Sequence, residues 1–230
     1  MDKSYKAKEG DILHKSFYTE EILSKTAEEM GNNNFAAQYM QEPVIESHTM
    51  LKLPEICFYE KLDIDWEYII ESWDSAIKTS SSSDYSVCTI WGIKDGSYYL
   101  LHMHRAKLSY PELKNDSIRL IKRYNPRFTL IEDHASGQSL IQDLRSEGMM
   151  NLIGIKHKID KITRFGSVVP LFQSGIVKIP KNAVWLNIFL KELTEFPHTK
   201  HDDIIDSVSQ FLLHMKDKLQ RSSNVRVREV

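Results

Sequence analysis

With 230 residues, 41% of them hydrophobic, the chain is long enough for one well-packed α/β domain with an extension, or for two small ones. A formal net charge of −2 excludes a globally basic nucleic-acid binder, so any contact with DNA must come from local basic patches. Two cysteines, Cys57 and Cys88, argue against a disulfide scaffold or a zinc cluster, and the polar start MDKSYKAKEGD is no signal peptide. The longest apolar run, near Val184 to Leu190, is interrupted by Asn187 and too short to cross a bilayer. A soluble protein of the cytoplasm, without membrane contact, is expected.

Residues 1–65 read as an N-terminal helical arm and an extended linker. Thr19 can cap a helix with Glu20 and Glu21 in its first turn, and Gly31 to Asn34 stop it. Between Glu42 and Asp65 no periodicity holds, and Pro43 and Pro54 interrupt the stretch. From Trp66 the pattern sharpens. Tyr68 to Asp74 is a candidate strand, Thr79 to Ser83 a small polar loop, and Tyr85 to Ile93 an alternating strand. Lys94-Asp95-Gly96 supplies a hairpin turn into a third strand, Ser97 to His104. A helix from Pro111 to Tyr124 follows, and Asn125-Pro126 ends it. Arg127 to Glu132 is a strand, Ser136-Gly137 opens a helix, and Asn151 to Ile155 is another strand. Lys158 to Phe172 reads as helical, Gly175 to Ile179 as extended, and Val184 to Leu193 as an amphipathic helix. Asp202 to Leu219 makes a long closing helix, and a basic tail is expected over residues 221–230.

Three antiparallel strands, helix, strand, helix, strand and then helices is the order of a ribonuclease H-like α/β fold: a mixed sheet flanked by helices. In that order the first and fourth strands lie side by side and parallel, with domain bounds expected at 66–220. The run TLIEDHASG, residues 129–137, is central to it. A buried strand that ends in two acids, Glu132 and Asp133, delivers a carboxylate to the carboxyl edge of a sheet, where α/β proteins place their sites. Asp74 ends the neighbouring strand, and Asp202, Asp203 and Asp206 open the last helix. Carboxylates from two strands and one helix suit a phosphodiesterase that uses two Mg2+ or Mn2+ ions, roughly 3.5–4 Å apart. Taken singly, Asp74, Asp202 and Asp203 read more readily as helix caps or solvated acids; the conjunction favours the site. Asp206, one turn further in, fits a second rank of the site or an exposed acid equally well.

His102, His104, His198 and His201 match no closed zinc spacing and are expected in solvent or behind the ligands. The densest basic stretch is Lys156, His157, Lys158, Lys161 and Arg164, a candidate DNA surface to which Lys78 is added. No GxxxxGKS/T phosphate loop occurs anywhere in the chain.

SWDSAIKTSSSSDYSVCTIWG, HRAKLSYPELK, TLIEDHASGQSLIQDLR, DKITRF, FQSGIV and ELTEFPHTKHDDIIDSVSQFL, in that order, resemble the C-terminal nuclease domain of phage terminase large subunits over about residues 66–215. GDILHKSFYTEEIL and NNNFAAQYMQEP resemble the end of that family's ATPase region and its linker. The resemblance implies a ribonuclease H-like metal-dependent endonuclease that cuts concatemeric double-stranded viral DNA in a bacterial cytoplasm, with a terminase ATPase, a small subunit and a portal as partners. The family's strand acids fall on Asp74 and Glu132, its HDD acids on Asp202 and Asp203, and a frequent further acid on Asp206. Its DK..R block falls on Asp160, Lys161 and Arg164. His102 stands where many relatives carry Asp. An ATPase half without a counterpart here suggests a split terminase, a prophage remnant or an excised domain. A non-catalytic packaging module and a resolvase-like nuclease of the same fold are the competing functions.

Overall fold

The computed structural model describes residue 19 and residues 49–60, 63–76, 85–134 and 136–226, with side chains described as far as 218. The expected N-terminal helical arm, the serine loop, Lys78 and the last four tail residues lie outside the described residues. The chain divides into two units, Met1–His48 and Thr49–Val230, and everything below concerns the second.

Its strands are β1 (Cys57–Tyr59), β2 (Tyr68–Asp74), β3 (Ser86–Lys94), β4 (Ser97–Ala106), β5 (Phe128–Glu132), β6 (Leu152–Ile155) and β7 (Val177–Pro180). The helices are α1 (Tyr110–Tyr124), α2 (Ser136–Ser146), α3 (Lys161–Gly166), α4 (Val169–Gln173), α5 (Leu186–Glu195) and α6 (Asp203–Arg226). The strands form one mixed sheet in the order β1-β7-β4-β3-β2-β5-β6. β2, β3 and β4 run antiparallel, β5 lies parallel to β2, and β6 lies parallel to β5. That is the ribonuclease H-like arrangement expected from the order of elements.

Local chemistry explains most of these bounds. The β3–β4 turn carries positive φ at both Asp95 (47°) and Gly96 (71°), the type I′ geometry whose twist matches the flanking strands. At the start of α1, Glu112 accepts from both the backbone N–H and the hydroxyl of Ser109, at 2.8 and 2.6 Å. Asn125 closes the helix in the left-handed conformation, φ 44°.

Three expectations change. The sheet has a further edge strand, β1, inside the stretch read as linker, and the compact unit starts at Thr49, with Leu51 and Ile56 in its core. β1 is only three residues long and half-buried, so it has no period of its own; parallel pairing to β7 creates it. The helix read over 158–172 is two short helices, α3 and α4, with Pro170 in the first turn of the second. A proline there lacks the N–H that a continuous helix would need. The last helix runs on to Arg226, through most of the residues read as tail.

The sheet buries a layer on each face. Trp73, Cys88, Ile90 and Ile131 pack with Leu113, Leu120, Leu140 and Leu144 of α1 and α2. On the other face Ile70, Val87, Trp91 and Leu130 pack beneath Val208, Phe211, Leu212 and Met215 of α6. The Trp91 and Phe211 rings stack at 4.5 Å and 8°. Where α6 crosses β2 the layer turns polar and close. Ser72 Oγ donates to the Ser207 carbonyl and Ser207 Oγ donates to the Ser72 carbonyl, both at 2.8 Å. Gln210 Nε2 donates to Ser72 Oγ at 3.0 Å and to the Trp73 carbonyl at 3.2 Å.

These side chains are buried, and only small hydroxyls let the two backbones approach so nearly. Ser207→Leu removes one of the paired bonds and inserts volume where none is spare, so urea unfolding should show a loss of about 3 kcal/mol. A loss under about 0.5 kcal/mol, the range of ordinary surface changes, would sink this account of the crossing.

Candidate functional site

The acidic site is built by register. Trp73 pairs with Ile131 across the parallel β2–β5 ladder, so the next residues, Asp74 and Glu132, emerge together at the carboxyl edge. The Glu132 carboxyl group lies near enough to raise Asp74 both by its charge and as a hydrogen-bonding neighbour. Gly137 lets α2 begin directly against the end of β5: a Cβ there would lie 1.8 Å from the Glu132 backbone oxygen. Ser207, clamped on Ser72, fixes the rotation of α6 and brings Asp203, one turn earlier, toward Asp74.

Burial is the largest influence on Asp74, followed by the charges of Asp206 and Glu132 and by the hydrogen bond to Glu132, with Asp203 adding less. Together they push its pKa well above the usual carboxylate range. Of the HDD pair, Asp203 is therefore the acid whose charge Asp74 feels. Asp203 is 6% exposed, whereas the Asp202 side chain is 45% exposed and turned to Lys161 at 2.7 Å.

Cations from separate elements face these acids. Lys161 Nζ also meets Asp206, at 2.5 Å, and Arg164 pairs with the other Asp206 oxygen while its Nε donates to Ser209 Oγ at 3.2 Å. Burial still raises Asp206, with the Lys161 bond and charge opposing it. His157 Nε2 stands 3.9 Å from Glu132; burial, then the Arg164 charge, holds this imidazole below its usual value. Arg105 Nη2 lies 3.8 Å from Asp203 and 3.9 Å from Glu192, with its guanidinium 3.6 Å over the Tyr85 ring. Burial raises Glu192 to about 7, although it accepts backbone N–H bonds from Ile204 and Ile205.

Asp74 and Glu132 thus meet at one place, and Asp206 and, less strongly, Asp203 reach Asp74 through their charges. Asp202 stands at the rim. Arg164, expected at a DNA surface, is instead buried and committed to Asp206, because the DK..R block packs its arginine under α6. Asp160 caps α3, accepting from the Thr163 N–H at 2.9 Å, and the bond holds it below the usual range. Lys156 is 71% exposed and pairs with Asp133 at 3.3 Å, and Lys158 is exposed beside it. His104 and His102 lie on the α1 face of the sheet, against Asp116 (2.9 Å) and the Tyr124 ring, away from the acids. His198 is exposed, and His201 packs edge-on to Tyr85.

Arg105 and Glu192 are the site residues that sequence reasoning missed. Glu192 carried a signal: it lies in the apolar stripe made by Phe189 and Leu193 of α5 and by Phe196 just after it, where a charge needs a partner. Arg105 carried none.

The donor set fits a hard divalent cation, since it is all carboxylate oxygen and already strained by its own repulsion. Among the described residues, no three His, Cys, Asp or Glu side chains already converge as a finished cage. The acids lean on one another, on Arg105 and on Lys161 instead.

The model of the terminase RNase H-like domain matches residues 72–215, and the chain belongs to that family. No curated protein matches the sequence. Among solved structures, the large terminase of one thermophilic bacteriophage superposes with a TM-score of 0.56 at 15% identity, covering 72% of this chain and 43% of that one. The large terminase nuclease of a second thermophilic phage, G20c, with bound zinc gives 0.52 at 19% identity, covering 72% and 94%. The same G20c nuclease with bound magnesium gives 0.53 at 16% identity, covering 73% and 94%. At these identities the likeness is one of fold. The chain spans about half the length of the first of these large terminases, 43–52% of it, and nearly all of the isolated G20c nuclease.

Asp74 supplies a pH test. Its pKa is raised in the folded state, so the folded chain holds its proton more tightly than the unfolded one. Stability is therefore greatest below the unfolded value near pH 4 and declines as pH rises toward the folded value. Asp74→Asn removes the penalty. Its melting temperature should exceed the parent's at pH 8 in EDTA, by roughly 2–4 °C per kcal/mol relieved, with the gain shrinking toward pH 4. An Asn variant less stable than the parent at pH 8 would contradict this electrostatic picture.

Proposed function

We propose that this chain is a metal-dependent DNA endonuclease of the terminase type, hydrolysing phosphodiester bonds in double-stranded DNA. The observation that carries the reading is the Asp74–Glu132 pair at the carboxyl edge, with Asp203 brought to it by α6. Asp74, Glu132 and Asp203 would hold the ions, Mg2+ or Mn2+, with Asp202 and Asp206 in reserve behind Lys161. Such ions, when bound, supply an activated water and stabilise the charge on the leaving oxygen.

The chain's own groups do the rest. Asp74, pressed by neighbouring charge, would gain most from a cation that took over the repulsion. Glu132 is held in place by the end of β5 and the start of α2. Lys156 and Lys158, exposed on the loop after β6, follow Ile155, the ladder partner of Glu132, and suit backbone phosphates. A phosphate arriving there also meets Lys161 at the rim. A separate terminase ATPase, a small subunit and a portal are the partners this reading calls for, in a bacterial cytoplasm.

Digestion of supercoiled plasmid is the direct test. The parent should cut with Mn2+ or Mg2+ and not in EDTA. Asp74→Ala and Glu132→Ala should each lose roughly 10²–10³ of the rate, the scale for removing one group that stabilises developing charge. Cutting at the parental rate by both variants would refute the site. A parent inert with either metal would favour a non-catalytic packaging module or a remnant. Preference for four-way junctions over linear duplex would move the assignment to a resolvase-like nuclease.

DNA affinity gives a second check. Lys156→Ala and Lys158→Ala should each lower the slope of log affinity against log salt by about one unit, uniformly across sequences. An unchanged slope would take those lysines out of the interface.

A further inference from the structure

We propose that Glu192 is a positioning residue: by sharing Arg105 with Asp203, it keeps the Asp203 carboxylate available to a divalent cation. The inference rests on the metal-dependent reading above and adds two residues to it.

Glu192 sits on α5, 4% exposed, and reaches the first turn of α6. Its Oε1 accepts from the Ile204 N–H at 2.6 Å and the Ile205 N–H at 3.3 Å. Those are among the first four N–H groups of a helix, which have no partner inside it. The residue placed to cap them from within the chain is Asp202, but Asp202 is turned to Lys161. Glu192 therefore caps α6 from a different helix. Capping alone does not call for a charge, because a neutral side-chain oxygen serves as well.

The charge has a second destination. Glu192 Oε2 is 3.9 Å from Arg105 Nη2, and the same nitrogen is 3.8 Å from Asp203 Oδ2. The guanidinium is pinned by the Tyr85 ring 3.6 Å beneath it, so it stands nearly midway between two carboxylates. An arginine with one carboxylate partner forms a two-pronged, charge-assisted pair. Were Asp203 that single partner, an α6 acid whose charge reaches Asp74 would be neutralised by the protein itself. Glu192 divides the arginine's attention.

Mn2+ binding, followed by calorimetry at pH 8 on the 230-residue chain, separates this role from mere capping. Glu192→Gln keeps an oxygen for the two N–H groups but leaves Arg105 to Asp203 alone. It should weaken Mn2+ binding about tenfold, at the lower end of what outer groups around a metal contribute. Adding Arg105→Met removes the competitor, so the double variant should return to within about threefold of the parent. Parental Mn2+ affinity in Glu192→Gln, or a double variant no better than the single one, overturns the proposal.

Should Glu192→Gln fail to fold, Arg105→Met alone decides the matter. It must bind Mn2+ at least as tightly as the parent, and weaker binding overturns the proposal. Asp74→Ala in the same titration isolates the underlying reading. A parent whose Mn2+ binding is absent, or unaffected by Asp74→Ala, refutes that reading and this inference together. Intact Asp74-dependent binding with an unaffected Glu192→Gln refutes this inference alone.

Discussion

The reciprocal hydrogen bonds between Ser72 and Ser207 are the constraint to which the other contacts of the molecule are fitted. Each serine gives its hydroxyl to the other's carbonyl, so the helix and the strand cannot rotate or slide without leaving buried polar groups unsatisfied. Thr89 and Gln210 extend the seam, and Trp91 stacked on Phe211 closes it on the apolar side. A helix settled by apolar contacts alone would tolerate small changes of rotation. This one does not, and the direction in which Asp203 and Asp206 point follows from it.

The second organising fact is how the acids are kept together. Crowded carboxylates repel, and burial sharpens the cost. The chain answers with Arg105 from β4 and with Lys161 and Arg164 from α3. Their distribution is uneven. Asp206 has two of these cations and Asp202 has one, whereas Asp74 and Glu132 have each other and a histidine 3.9 Å from Glu132. Among the described residues, the part of the cluster without a paired lysine or arginine lies at the ends of β2 and β5. It is the part with the most to gain from an added cation.

The same sheet carries a buried acid that serves no such cluster. Glu71, on the opposite face of β2, is fully enclosed and accepts from Trp73 Nε1 at 2.7 Å and from Thr129 at 3.2 Å. Burial raises it to about 7, yet donors surround it and no second carboxylate contributes to its shift. The contrast with Asp74 shows the difference between an acid satisfied by hydrogen bonds and one left facing its own kind.

Much of this was legible in the order of residues. The strand from Tyr68 to Asp74, the Asp-Gly hairpin and the helix bounded by Pro111 and Asn125 follow from period and turn chemistry, which are local. The strand ending at Glu132 follows from the same signals, and the order of elements then placed Asp74 beside Glu132. β1 was not legible, because three half-buried residues become a strand only when β7 lies alongside. Nor was the break between α3 and α4, where tertiary packing overrode a helical period. At the site, the sequence supplied the acids but not their division of labour. Whether Asp202 or Asp203 turns inward, and whether Arg164 faces DNA or Asp206, is set by the rotation of α6 on the sheet. Local signals were enough to put acids at the carboxyl edge. It took the packing of α5 and α6 to choose which acids face each other and to bring Arg105 and Glu192 between them, because a contact between residues so far apart in the chain leaves no periodic trace in it.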